Sequence, residues 1–541
     1  MKIDYLRIRS RFKNLNNVCI NFDEGHLMTV IVGCNGSGKS NVLEALVAIF
    51  RNLDLGEPPP FSYELRYRLG DFPNAKWVLI DADPERASSN ALYRIGVTRQ
   101  ISESQFEVEE TVPFSRLQRG KSGQTDYLPR YLFAYYSGPS DRLEQYFRKH
   151  RTDFYRKLLK NKVNLSDDIR PLFYAKPVHS QFVLLAFFLG GANESERQFL
   201  LQELGIEELD SVHFVMRRPG WSKKKMELFW GANGVVRDFL DELFPYTLAP
   251  LKVTRNEDTS LTGKNIKNEF FHLFLPSVSV LREFAERMTP DVLFKMLEST
   301  LLSEIISEVR IRVRVQSSDE VLSFRELSEG EQQLLTVLGL LKFTGGKDSL
   351  FLLDEPDTHL NPLWAIKYLK FIERFVPNHK TSHLLMITHH PLAIAELEKG
   401  QVQVMWKDSA ARQVHAEAPA ESPRGMGYAG ILTSDMFGLE STLDRPTEEL
   451  IRQRRNLLEK DSLDETERSQ LTDIDKKIEA LGFTTAHWDS DYQEYLRARK
   501  RLEMDLEKSP PVTPDIRRLR SARALEILAR IKEKEGGGEI R

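Results

Sequence analysis

Residues Gly33 to Ser40 read Gly-Cys-Asn-Gly-Ser-Gly-Lys-Ser, which meets the pattern G-x-x-x-x-G-K-[ST] at every fixed position. The pattern constrains the fold because it works only between a buried strand and the start of a helix. Both flanks are present. Leu27 to Val32 is a β-rich apolar run, and Asn41 to Phe50 carries apolar residues at helical spacing. The glycines let backbone N–H groups face a phosphate, and the helix N-terminus adds roughly half a positive charge there. In such a loop Lys39 reaches the β- and γ-phosphates, and Ser40 places its hydroxyl on Mg²⁺.

The loop belongs to a chain of 541 residues, long enough for two to four domains. Its 29% charged and 41% hydrophobic residues are the balance of an ordinary globular protein. A net charge of −3 is too small to imply a partner, so local patches carry that question. The two cysteines, Cys19 and Cys34, build neither a disulfide framework nor a thiolate zinc site, which fits a reducing cytosol. No run approaches 18 apolar residues, and Met1 to Ser10 has no signal-peptide core, so a cytoplasmic chain with no membrane partner is expected.

Alternation in Tyr5 to Ile8 and Val18 to Phe22 predicts a hairpin that leads into the phosphate-loop strand. Short alternating runs at Ser62 to Leu69, Lys76 to Ile80, Ala91 to Thr98 and Gln105 to Val112 predict an antiparallel sheet flanking the nucleotide core. Arg130 to Tyr136 is a further buried-strand candidate, and Arg142 to Lys162 reads as a basic helix. Apolar helical stretches at Gln181 to Leu189, Val236 to Phe244 and Phe284 to Val309 predict an inserted, mainly helical lobe without sustained heptads. The core is expected to resume at Ile311 to Val315, and Gln401 to Trp406 is read as an edge strand. Charged helices are predicted over Thr447 to Lys460, Asp464 to Leu481, Tyr492 to Glu507 and Asp515 to Glu533. The expected division is thus 1–140 and 311–415 for the two halves of one α/β domain, 141–310 for the insert and 416–541 for a helical C-terminal region that binds a partner.

A phosphate loop needs a second set of groups, and Leu350 to Leu353 followed by Asp354-Glu355 supplies it. An apolar strand there delivers two carboxylates at its C-terminal end. Asp354 suits the Mg²⁺ shell, and Glu355 suits a general base that polarises the attacking water. Leu327-Ser328-Glu329-Gly330-Glu331-Gln332-Gln333 precedes an apolar helix. Ser328 and Gly330 offer a hydroxyl and bare N–H groups to an anion, or else Glu331 completes a plain capping box. After the strand Leu384 to Ile387 come Thr388-His389-His390-Pro391, where His389 can donate a hydrogen bond to a γ-phosphate or be a structural residue.

The ordered set GCNGSGKS, LSEGEQQ, LFLLDEP and ITHH resembles the ABC-type ATPases, and the form Asn35 with Asn41-Val42-Leu43-Glu44-Ala45-Leu46 resembles their SMC and RecF branch. The resemblance implies an ABC-type P-loop head in which two chains sandwich two ATP molecules. Each site would combine Gly33, Asn35, Gly36, Ser37, Gly38, Lys39, Ser40, Asn41, Asp354, Glu355 and His389 of one chain with Ser328 and Gly330 of its mate. Glu329 departs from the usual glycine and adds negative charge there. The family's Q-loop glutamine has no clear counterpart; Ser137 and Gln145 are the candidates. Within the branch, Asp354 to Pro362, the Thr-His-His-Pro tail and Tyr428 to Leu443 resemble the ATPases of Septu-type anti-phage systems, retron-associated forms included. That resemblance implies ATP and Mg²⁺ as cofactors, a homodimer or higher even-numbered oligomer, and a separate HNH nuclease chain as partner.

The competing reading is a RecF- or SMC-like head that acts on DNA in repair or chromosome maintenance. A fused TOPRIM nuclease is disfavoured, because Asp489-Ser490-Asp491 follows a poor strand, and no His/Asn cluster suggests intrinsic nuclease activity. Arg217, Arg218, Lys223, Lys224 and Lys225 around Trp221, and the group Arg517, Arg518, Arg520 and Arg523, could contact nucleic acid or an acidic protein, or be solvated faces. DNA, RNA or a retron reverse transcriptase complex therefore stands as a further partner class.

Overall fold

The computed structural model describes residues 1–481 apart from 89–90, 103–104, 108, 120–124, 164–169, 190–193, 224–226, 259–264, 287, 317, 345–347, 377, 409–412 and 461–462, together with 522, 525 and 526. The chain packs as two compact units, Met1–Gly425 and Met426–Arg541. The first is α/β, as the sequence predicts.

Its centre is a seven-stranded sheet in the order Leu172–Tyr174, Tyr131–Tyr136, Ser349–Asp354, Ser382–Ile387, Met28–Gly33, Val402–Lys407 and Val414–Glu417. All neighbours run parallel except the last pair. Strands buried on both faces need unbroken apolar runs, and Met28–Gly33, Ser349–Asp354 and Ser382–Ile387 are buried at every position. A second, antiparallel sheet runs Val18–Asn21, Lys2–Ile8, Tyr63–Leu69, Lys76–Ala82, Tyr93–Ser102, with Gln105–Phe106 and Glu110–Thr111 on its last strand. Here Tyr63–Leu69 alternates buried and half-buried positions, the pattern of a sheet with one wet face. The helix Lys39–Leu55 lies between the two sheets. Val42, Leu46 and Phe50 join Ile3 and Leu6 on one side and Leu350, Leu352 and Leu385 on the other in one core.

The insert is mainly helical, as expected, and also holds a sheet that the sequence reading did not foresee. It holds helices at Glu144–Leu159, His179–Leu189, Glu194–Leu204, Gly234–Leu243, Val278–Ala285 and Pro290–Leu302. It also holds a five-stranded antiparallel sheet in the order Leu248–Asp258, Asn265–Leu275, Ile206–Arg217, Ile306–Val315, Ser318–Ser323. The stretch Phe284 to Val309, read as one helix, is broken where Thr289 caps a new helix with Pro290 in its first turn and ends in a strand. Ile311 to Val315 belongs to this sheet, paired with Ile206–Arg217, rather than reopening the central one. Val402–Lys407 is not an edge either, since Val414–Glu417 closes beside it.

In the second unit, Arg445–Leu458 and Glu465–Ala480 are helices packed through Leu457, Ile474 and Ile478. The helices expected at Tyr492 to Glu507 and Asp515 to Glu533 and the arginines at 517, 518, 520 and 523 lie outside the described residues, as does Asp489 to Asp491. Among the described residues no helix is long and apolar enough to cross a membrane.

Candidate functional site

In an open parallel sheet the carboxyl ends of the strands are where loops from neighbouring strands converge. Here Asp354 lies opposite Ile387, and Ile387 opposite Ile31, so the chain leaves the sheet at Gly33, Glu355 and Thr388 side by side. The cleft above this edge has a volume of about 350 Å³ and is lined by the loop residues Asn35, Gly36, Gly38, Lys39, Ser40 and Asn41. Glu355, His389, Asn14, Tyr136 and Arg142 complete it.

The phosphate loop turns through left-handed glycines. Gly38, at φ 96°, caps the helix Lys39–Leu55, and a Cβ there would meet Asn14 Oδ1 at 2.7 Å. Asn14 also donates from Nδ2 to Gly36 O at 3.1 Å and accepts from Asn41 Nδ2 at 2.6 Å, which ties the N-terminal hairpin to the loop. Lys39 Nζ donates to Gly33 O at 2.8 Å and Cys34 O at 3.0 Å. Burial lowers its pKa to about 8 against the pull of nearby acidic groups, led by Cys34 and Glu355. Ser37 is buried, with its hydroxyl unpartnered among the described residues, and Gly33 likewise does not line the cleft.

Across the cleft, Ser40 Oγ donates to Asp354 Oδ1 at 3.1 Å. These two groups are separated by 314 residues in sequence. A hydroxyl beside a single carboxylate is the sparse, hard-oxygen donor set that suits Mg²⁺ held mainly by phosphate oxygens and water. No cluster of three or more His, Cys, Asp or Glu able to hold a metal occurs among the described residues. Burial raises the Asp354 carboxyl to about 6, although Arg142 and Ser40 pull it down. Glu355 adopts φ 52°, a left-handed conformation uncommon for a residue with a Cβ, and its N–H donates to Ile387 O at 2.9 Å. Its Oε1 lies 3.5 Å from His389 Nε2, and both are part-exposed to the cleft. Burial, and then the charge on Lys39, lower the His389 pKa, so near neutral pH this imidazole is uncharged and can donate one hydrogen bond. The backbone behind it is braced by Thr388, whose hydroxyl donates to the buried Asp357 at 2.6 Å and accepts from His390 N at 2.8 Å.

Arg142 escaped the sequence reading, which took it as the start of a basic helical face. Its Nη2 donates to Asp354 Oδ2 at 2.9 Å, its Nε is 3.7 Å from the buried carboxylate of Glu44, and its guanidinium sits 4.7 Å from the Tyr136 ring centroid. Lys13 also pairs with Glu44. The one signal for Arg142 is its place just after the turn that ends the strand Tyr131–Tyr136. Of the two Q-loop candidates, Ser137 meets Thr358 Oγ1 at 3.2 Å and Gln145 donates to Arg142 O at 3.1 Å; neither lines the cleft.

Ser328 and Gly330 also lie off their own chain's cleft lining. Ser328 is exposed, and its Oγ and N–H both engage Glu331 Oε2, at 2.7 Å and 2.6 Å. Glu331 N returns a bond to Ser328 Oγ at 3.3 Å, completing the capping box. Gly330 is buried, and a Cβ there would fall 2.5 Å from His359 O. Exposed Glu329 lies 3.4 Å from His359. The basic patch around Trp221 divides. Trp221 donates to Ser303 O at 2.8 Å and Arg218 to Ser222 O at 2.9 Å, while Lys224 and Lys225 are outside the described residues. Both cysteines are free thiols and exposed.

Residues 28–395 match a family model described as AAA domain, putative AbiEii toxin, Type IV TA system. The chain is 25% identical over 230 residues to the Septu protein PtuA of Bacillus mycoides (strain KBAB4). That alignment takes in 40% of this chain and 32% of the relative, so only about a third of the relative's length is spanned. Among solved structures, the SMC head domain from Thermotoga maritima is 13% identical, with 77% of this chain and 99% of that one covered at a TM-score of 0.28. A Pyrococcus furiosus Smc head domain bound to the C-terminal domain of ScpA is 14% identical, with 77% and 96% covered, also at 0.28.

Proposed function

The chain belongs to the family of AAA domains described as putative AbiEii toxin of type IV toxin–antitoxin systems, and from that premise we propose that it binds and hydrolyses ATP in this cleft. The observation that carries the reading is the meeting of Ser40 and Asp354 at 3.1 Å beneath a cleft faced by Lys39, Glu355 and His389. Loop N–H groups and Lys39 hold the phosphates. Ser40 and Asp354 hold Mg²⁺, which when bound neutralises charge that develops on the phosphate oxygens. Glu355 takes a proton from the attacking water, and His389 donates a hydrogen bond towards the γ-phosphate.

The exposed, capped turn at Ser328 supports a second chain closing on the first, each sealing the other's ATP; Gly330, packed against His359, shapes that turn. Likeness to a Septu protein supports a role in anti-phage defence, in which the nucleotide state of an even-numbered assembly governs a separate HNH-type nuclease, with a retron as one setting. The chain itself carries the ATPase and no nuclease. Purified chain should therefore hydrolyse ATP only with Mg²⁺ and leave DNA intact. Lys39→Ala should abolish ATP binding, and Glu355→Gln should bind ATP yet turn it over roughly 10²–10⁴-fold more slowly. Parental turnover in Glu355→Gln removes the assignment of the base.

A further inference from the structure

The five-stranded sheet of the insert buries one face; on the other, His213, His272 and Phe274 are part-exposed, while Val215 and Phe270 are buried further along. Val212, Phe214, Leu273, Val309, Ile311 and Val313 fill the buried side. Alternation then sends Arg310, Arg312 and Arg314 to the opposite face, where His213 lies across from Arg310 on one side and Phe274 on the other. Alternate residues on an antiparallel strand repeat at roughly 6.8 Å, so these three arginines form an evenly spaced row. Their charge is only partly cancelled. Arg310 meets Glu308 at 2.8 Å and Arg314 meets Asp210 at 3.4 Å, whereas among the described residues Arg312, Arg255 and Arg217 meet no carboxylate.

Beside the row is an aromatic group. Arg255 Nη2 donates to His272 Nε2 at 3.1 Å, so the His272 proton lies on Nδ1, which donates to His213 Nε2 at 3.0 Å. Burial and the neighbouring arginines lower the pKa of both rings, and both are neutral near pH 7. The two rings are 5.0 Å apart, and Phe274 meets His213 edge-on at 6.1 Å. Leu248 and Leu251, paired with Phe274 and His272, are 59% and 57% exposed, so solvent reaches this side of the sheet.

We propose that this face binds single-stranded nucleic acid, with the arginine row along the phosphates and Phe274, His213 and His272 beneath the bases. A group of part-exposed rings beside guanidinium groups fits unpaired bases, which expose their π-faces; a duplex hides them. The surface is remote in sequence from the ATP cleft residues, and its binding does not require hydrolysis.

The test is fluorescence anisotropy of a fluorescein-labelled 20-mer of oligo-dT with the full chain at 50 and 200 mM NaCl. Binding should weaken with salt. Arg312→Glu should weaken it at least about tenfold and flatten the salt slope by about 0.7, the value of one phosphate contact on a single strand. Phe274→Ala should weaken it about 5- to 150-fold with the salt slope kept, the range of one lost base stack. A duplex of the same length should bind less tightly and ignore Phe274→Ala. Thermal midpoints matching the parent's show that both variants fold. The proposal is overturned if oligo-dT does not bind at 50 mM NaCl, or if both folded variants bind like the parent. It is equally overturned if Leu251→Asp splits an assembly of the chain while oligo-dT affinity stays the same, since the face then belongs to a second copy.

Discussion

Arg142 is shared by two buried carboxylates from different elements, Asp354 at the end of a central strand and Glu44 inside the phosphate-loop helix. Its guanidinium opposes the burial that raises Asp354 to about 6, so it keeps a carboxylate available beside Ser40. Truncation to Ala removes a charge-assisted bond of roughly 1.5–3 kcal/mol. The expected result is a KM for MgATP raised about 10- to 100-fold, with Arg142→Lys recovering part of it. Parental KM and kcat in Arg142→Ala would take the residue out of the site. Lys39, Ser40, Asp354, Glu355 and His389 could be named in advance because each ends or follows a strand in a locally recognisable block. Arg142 and Asn14 could not, since their place depends on where two loops arrive in space. Gly330 shows the reverse: the motif was legible, but its burial against His359 O was not.

At the scale of elements, the strands that could be read were those whose burial is simple. Continuous apolar runs became central strands, and the alternation of Tyr63–Leu69 became a sheet with one wet face. Alternation does not name a partner, however, so Ile311 to Val315 was recognisable as a strand and still assigned to the wrong sheet, while Ile306 to Val309 was absorbed into a helical stretch. The contact between the two sheets of the nucleotide core also rests on a group that no pattern reveals. His383, on a central strand, accepts from Ile3 N at 2.9 Å through Nδ1 and lies 3.2 Å from Thr29 Oγ1 through Nε2. Burial, reinforced by Lys2, holds its pKa well below the ordinary value of 6.5. The folded chain therefore keeps this ring neutral at pH values where the unfolded chain protonates it. Stability from this residue is complete above pH 6.5 and is lost as pH falls below it, by up to about 1.4 kcal/mol per pH unit. Urea unfolding of the parent between pH 7 and 5 should show that loss, and His383→Gln should flatten it. An equal slope in both chains would mean the ring is protonated inside the fold.

For the whole molecule, the two compact units, Met1–Gly425 and Met426–Arg541, follow from where contacts fall rather than from any break in composition. The sequence divided the first unit by function, yet the insert and the central sheet pack as one body. Among the described residues, Ser328 does not line the cleft of its own chain. The proposed sealing of ATP by Ser328 calls for a second chain, and the direct measurement is the mass of the Glu355→Gln protein by light scattering after gel filtration with MgATP and with MgADP. With ATP the mass should double relative to ADP, and adding Ser328→Arg should abolish the doubling while ATP binding stays intact. A mass that is the same in both nucleotides, with ATP demonstrably bound, would contradict the shared site.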